Sequence, residues 1–109
     1  MTVTVRNIVP RKIAETINAG QYTASGVTVI DKFTATNFGA SDVTFSAHLP
    51  ASGGSASTSN VVISSRSIGA GETYLCPELV GQVLEPGGFI STIASAATLV
   101  ISGSGREIS

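Results

Sequence analysis

Charge is scarce in this chain. Only 12% of its 109 residues are Asp, Glu, Lys or Arg, and the formal net charge is −1. So even a balance excludes the basic footprint of a nucleic-acid binder. There is one cysteine, so no internal disulfide forms, and with a single histidine the chain cannot supply a four-ligand zinc site by itself. Tryptophan is absent, which removes the best sugar-stacking side chain. No apolar run approaches the ~18 residues that span a bilayer, so no membrane partner is expected. The opening Met1–Arg6 alternates, without a basic leader segment or an apolar core, and does not read as a secretory signal. The simplest expectation is synthesis in a cytoplasm without export, and the lone Cys76 fits a reducing compartment.

What is present is apolar and small. The chain is 42% hydrophobic with a mean hydropathy of +0.36, the opposite of a disordered composition. Its length suits one domain with one core. The dominant period is two. Val43, Phe45, Ala47 and Leu49 alternate with Asp42, Thr44, Ser46 and His48, the pattern of a half-buried strand. Gly26–Asn37 reads as a long strand with Val27, Val29, Phe33 and Ala35 on its inward parity, and Asp31 is the odd member of that set. The short connection Asn37–Asp42 predicts that these two strands form an antiparallel hairpin.

Further strands are expected over residues 60–67, 72–76, 89–94 and 98–102, separated by Gly69-Ala70-Gly71 and Glu85-Pro86-Gly87-Gly88. Such spacing predicts an all-β fold, a single antiparallel β-sandwich or jelly-roll-like domain. Residues 20–109 form this domain, preceded by an N-terminal strand or arm over 1–19. Within that arm, Pro10–Ala19 suits one or two helical turns or an extended segment. Pro77–Leu84 suits a single helical turn. Pro50–Ser59, with nothing apolar larger than Ala, reads as a mobile loop at one end of the sandwich.

No catalytic constellation emerges, and the chain is read as a non-enzyme without metal or cofactor. His48 falls on the polar face of its strand. Ser46 and Asp42 share that strand, but spacing along one strand does not bring the three within ~3 Å hydrogen-bond reach. Cys76 reads as a buried structural thiol, because no basic neighbour activates it. Asp31, Asp42, Glu72, Glu78, Glu85 and Glu107 are scattered and read as solvated charge. The glycine pairs match no phosphate-binding motif. Arg6, Arg11 and Lys12 form the one basic cluster, and they are the candidate contact with another protein.

The surface carries the remaining argument. A free domain normally holds about 25% charged residues, and this one holds 12%. Phe89–Ile101 contains no charge over 13 positions, and as an exposed edge it would invite pairing. Burial in a closed homo-oligomer would manage that risk.

Three strings carry a family likeness: Ala51–Asn60, Gly69-Ala70-Gly71-Glu72-Thr73-Tyr74, and Phe89–Ala97. Phe33-Thr34-Ala35-Thr36-Asn37 and Ser104-Gly105-Arg106-Glu107-Ile108 fit the same pattern. Together they resemble small uncharacterised virion-associated proteins of tailed bacteriophages and prophages, over about residues 22–108. The resemblance implies a virion structural role: capsid decoration or cement, or a neck, collar or tail accessory. It implies other virion proteins as partners, a homo-oligomer, and localisation to the virion after synthesis in the host cytoplasm. It carries no ligand residues. The alternative is a β-sandwich binding module that recognises a host-surface glycan or protein through loops 50–59, 69–71 and 86–88.

Overall fold

Strict alternation along β-strands needs two faces, one buried and one wet, and the chain satisfies it by stacking two antiparallel sheets. The structure, a computed structural model, describes residues 2–108. Its strands are β1 (Val3–Ile13), β2 (Ala19–Thr23), β3 (Val27–Asn37), β4 (Val43–His48), β5 (Val61–Ile68), β6 (Thr73–Tyr74), β7 (Val83–Leu84), β8 (Phe89–Ala94) and β9 (Leu99–Ile108). One sheet runs β1-β9-β3, with β6 and β7 both paired to the far side of β3; the other runs β2-β8-β4-β5.

The pairings are nested. Strand β4 pairs β5, β3 pairs β6 and β7, β2 pairs β8, and β1 pairs β9. Rolling this long hairpin adds the β3–β9 and β4–β8 contacts and closes two sheets over one core. That winding is the jelly roll, so the all-β fold expected from strand spacing takes its wound form. Loops 14–18, 38–42, 69–72 and 95–98 gather at one end, as the Ala14–Leu99, Phe38–Thr98 and Gly71–Asn37 backbone bonds require. The opposite end gathers 24–26, 49–60 and 85–88 through Ala24–Gly88 and Phe89–Pro50 bonds.

The core lies between the sheets. Phe33 on β3 stacks on Phe45 on β4, with centroids 6.3 Å apart, and Ile30, Ile68, Leu79, Ile90, Leu99 and Ile101 close around them. Gly103 leaves room for the Phe33 ring, since a Cβ there would lie 2.8 Å from it.

Several expectations change. Strands β3 and β4 do not form a hairpin; they lie in different sheets. Asn37, buried at the corner, redirects the chain. Its Nδ2 donates to Ser41 O at 2.7 Å and Ile68 O at 3.0 Å, while its Oδ1 accepts from the Gly39 amide and Thr98 Oγ1. Both donors and both lone-pair sites are filled, which ties the end of β3 to the opposite sheet.

The inward set of β3 also differs. Thr28 and Ile30 face in, then Phe33, Ala35 and Asn37, because a bulge lies between Ile30 and Lys32. Asp31 is the extra residue. It was odd in the alternation because it changes the alternation.

Residues 3–13 are an integral edge strand rather than a free arm or helical turns, and Ile8, Val9 and Ala14 belong to the core. Pro77–Leu84 forms successive turns leading into β7, closed by Leu79 N–Cys76 O and Gln82 N–Leu79 O bonds, and no helix forms. The uncharged run Phe89–Ile101 is not an edge: β8 and β9 are both central strands, paired on both sides. Its lack of charge reflects burial.

Candidate functional site

The outer face of the β1-β9-β3 sheet holds the most unusual surface. Directly paired residues share a face, so the register defines its rows. At one end, Val3, Ile108 and Val27 form one row, and Val5, Arg106, Val29 and Val83 form the next. Val5 is 79% exposed, and Val3 and Val83 are each about half exposed. Among these valines Arg106 is held by Asp31, with Nη2 2.9 Å from Oδ1 and Nε 3.0 Å from both carboxylate oxygens. The carboxylate raises the Arg106 guanidinium above its ordinary pKa.

Past the bulge, the same face changes character. Asn7 and Arg11 from β1, Ser102 and Ser104 from β9, and Lys32 and Thr34 from β3 line a shallow groove of about 380 Å³. No carboxylate lines it.

The candidate basic cluster does not converge. Arg6 Nε lies 3.3 Å from Glu107, and Lys12 Nζ lies 2.8 Å from Glu15. That contact, with a hydrogen bond from Gln21, lowers the Glu15 pKa. Arg11 alone of the three faces the groove, joined there by Lys32, which is 21 residues away in sequence and belongs to another strand.

Glu107 is not solvated charge. It is buried and receives Tyr22 Oη at 3.3 Å and Ser25 Oγ at 3.0 Å besides Arg6, closing one end of the sandwich. Tyr74 Oη donates to both oxygens of Glu78 at 2.5 and 2.6 Å, while the Arg66 guanidinium sits 4.4 Å above its ring. Burial, with Glu78 adding, pushes the Tyr74 phenol up to about 12. This cluster staples the β5 and β6 edges.

Cys76 is fully buried, and burial pushes its thiol up to about 12, which leaves it an inert apolar group. His48 Nδ1 is buried without a partner, and Ser46 Oγ instead accepts the Ser65 amide at 2.8 Å. Among the described residues, no three His, Cys, Asp or Glu side chains gather to hold a metal.

The loop site imagined for a binding module is divided. Loops 50–59 and 86–88 share an end of the sandwich, whereas 69–71 sits at the other, against Asn37. Loop 50–59 is also internally bonded, with Asn60 Oδ1 accepting the Ser57 amide and its Nδ2 reaching Ser55 O. Sequence reasoning missed Lys32 and Glu107. The irregular parity at Asp31 was the signal for the first, and the second had none. Compared with known proteins, the chain matches no family model, no curated sequence and no solved structure.

Proposed function

We propose that the protein is a non-enzymatic structural component of a tailed-phage virion, a capsid decoration or cement protein or a neck, collar or tail accessory, working as a homo-oligomer docked on other virion proteins. One observation carries the reading: the uncovered valine rows at the β1 edge of the larger sheet, centred on Val5. A valine patch whose one cation is neutralised by Asp31 suits the core of a subunit contact. The occupant is a second copy of this chain. In a two-fold contact the same rows meet themselves, and edge β1 runs along the junction. Buried apolar area contributes about 25 cal/mol per Å² before association costs.

Two further points support the reading. The jelly roll is an architecture used in viral capsids as well as in lectins, a fold-level analogy, and the turn strings resemble those of small phage proteins. The native mass of the purified protein is the first test. An oligomer that falls to monomer when Val5→Lys and Val83→Lys are combined is the expected result. A wild-type monomer at micromolar concentration would count against the proposal, and electron microscopy of labelled particles tests location directly. Deleting the first strand is not a clean test, because it removes Ile8 and Val9 from the core.

A further inference from the structure

The chain has six cationic side chains, and four are committed. Arg6, Lys12 and Arg106 are ion-paired, and Arg66 lies over Tyr74. Among the described residues, the remaining two, Arg11 and Lys32, have no ion-pair partner, and both line the groove on the outer face of the larger sheet. They stand on β1 and β3, on either side of β9, two strand spacings or about 10 Å apart across the sheet and about two residues apart along it.

Three irregularities put this set together. Strand β1 shifts register between Arg6 and Val9 and again between Val9 and Lys12, and Asn7 and Arg11 lie in those shifts. Strand β3 is bulged immediately before Lys32. Without that bulge Lys32 would share the parity of Thr28 and Ile30 and point into the core. Bulges that re-aim side chains are frequent beside binding sites. Here two different strands use them to deliver a cation each to one groove.

We propose that this groove binds a phosphate group carried on a saccharide. A phosphate monoester is nearly dianionic at neutral pH and matches an Arg fork facing an ammonium. The hydroxyls of Thr34, Ser102 and Ser104 and the Asn7 amide both donate and accept, which suits the neutral hydroxyls of a sugar beside the anion. Two cations are too few to track a nucleic-acid backbone. The site lies apart from the valine rows, so it stands or falls independently of the assembly reading.

The test is an amide-shift titration of the whole chain with glucose 1-phosphate, inorganic phosphate and glucose. Saturable shifts at Asn7, Lys32, Thr34, Ser102 and Ser104 are expected with glucose 1-phosphate, weaker ones with phosphate, and none with glucose. Arg11→Gln and Lys32→Gln each raise Kd about tenfold, the value of one charge-assisted hydrogen bond. Lys12→Gln, whose ammonium is held by Glu15, leaves it unchanged. An equal loss in Lys12→Gln would reduce the effect to diffuse charge and overturn the site. Inorganic phosphate binding as tightly as the sugar phosphate would overturn the saccharide assignment, and so would tighter binding of a short DNA duplex.

Discussion

Two halves of one sheet face are built on the same three strands and have opposite chemistry. One end presents valines around a neutralised ion pair, and the other presents hydroxyls between two uncompensated cations. Composition along each strand does not explain the change. Position in the pleat does, because one inserted residue on β3 exchanges its inner and outer sets. Before Asp31 the outward residues are Val27 and Val29, and after it they are Lys32, Thr34 and Thr36. The core is kept on both sides of the change, with Ile30 inward before it and Phe33 after. A bulge thus lets one strand serve a continuous core and two different surfaces.

Deleting Asp31 and Lys32 together should break this arrangement most severely. Removing Asp31 alone takes out the bulge and leaves Lys32 outward and Phe33 inward after Ile30, whereas removing both inverts the downstream parity and sends Phe33, Ala35 and Asn37 outward. The expected cost of the double deletion exceeds about 4 kcal/mol, enough to abolish cooperative unfolding in urea. A double-deletion variant with a near-native midpoint would show that this parity does not set the core.

The second test addresses what the reset delivers. Because the parity is restored at Phe33, Asn37 arrives inward and can bridge to Ile68 O in the other sheet. Asn37→Ala leaves the Ile68 carbonyl in a buried position, and the Ser41 carbonyl and Gly39 amide, without their partner. A loss of about 2–4 kcal/mol by chemical denaturation is expected. A loss below that of an ordinary surface substitution would mean the corner holds without it.

These two residues also show what the sequence could reveal. The inward faces of β4 and the all-β class were legible because Val43, Phe45 and Ala47 alternate without interruption. The register of β3 was half legible: Asp31 broke the pattern visibly, but period two alone does not say whether a charge is tolerated or a residue inserted. Asn37 beside Gly39 reads as a turn, and only the distant Ile68 carbonyl turns it into a link between sheets. The groove was the least legible feature. Arg11 lay in the basic cluster, but its companion is Lys32; Arg6 is taken by Glu107, which the β1–β9 pairing brings near, and Lys12 by Glu15 three residues further on. Long-range pairing of β1 with β9 leaves no local trace in either segment.

A smaller effect comes from the segment flanking the bulge on its other side. The turns between β6 and β7 bond to Ile30 through Gly81 N and Gln82 O and bury Cys76 beneath them. The folded thiol has a pKa raised to about 12, against ~8.5 in an unfolded chain. Since the folded value is the higher, this contribution is complete below the unfolded pKa and is lost as pH rises toward about 12. The free energy of unfolding should therefore fall above pH ~8.5 by up to about 1.4 kcal/mol per pH unit. Cys76→Ala should flatten that slope up to pH ~10, where an unfolded tyrosine begins to titrate. An unchanged slope in the variant would assign the loss elsewhere.

The smallest stability effect is expected where the charge is most visible. Asp31→Ala removes the partner of Arg106, but both side chains are more than a third exposed, 49% and 37%. Such a pair contributes within about 1 kcal/mol, screened further by salt. The backbone bulge survives the substitution, so the β3 register and the sugar-phosphate groove should be unchanged. What changes is the valine end, where an unpaired guanidinium now stands in the row between Val5 and Val29. Docking a second copy there would require desolvating that charge, so oligomer formation should weaken while the urea midpoint barely moves. If the midpoint instead dropped as far as in the deletion variant, the Asp31 side chain, and not the inserted backbone residue, would be what divides the two halves.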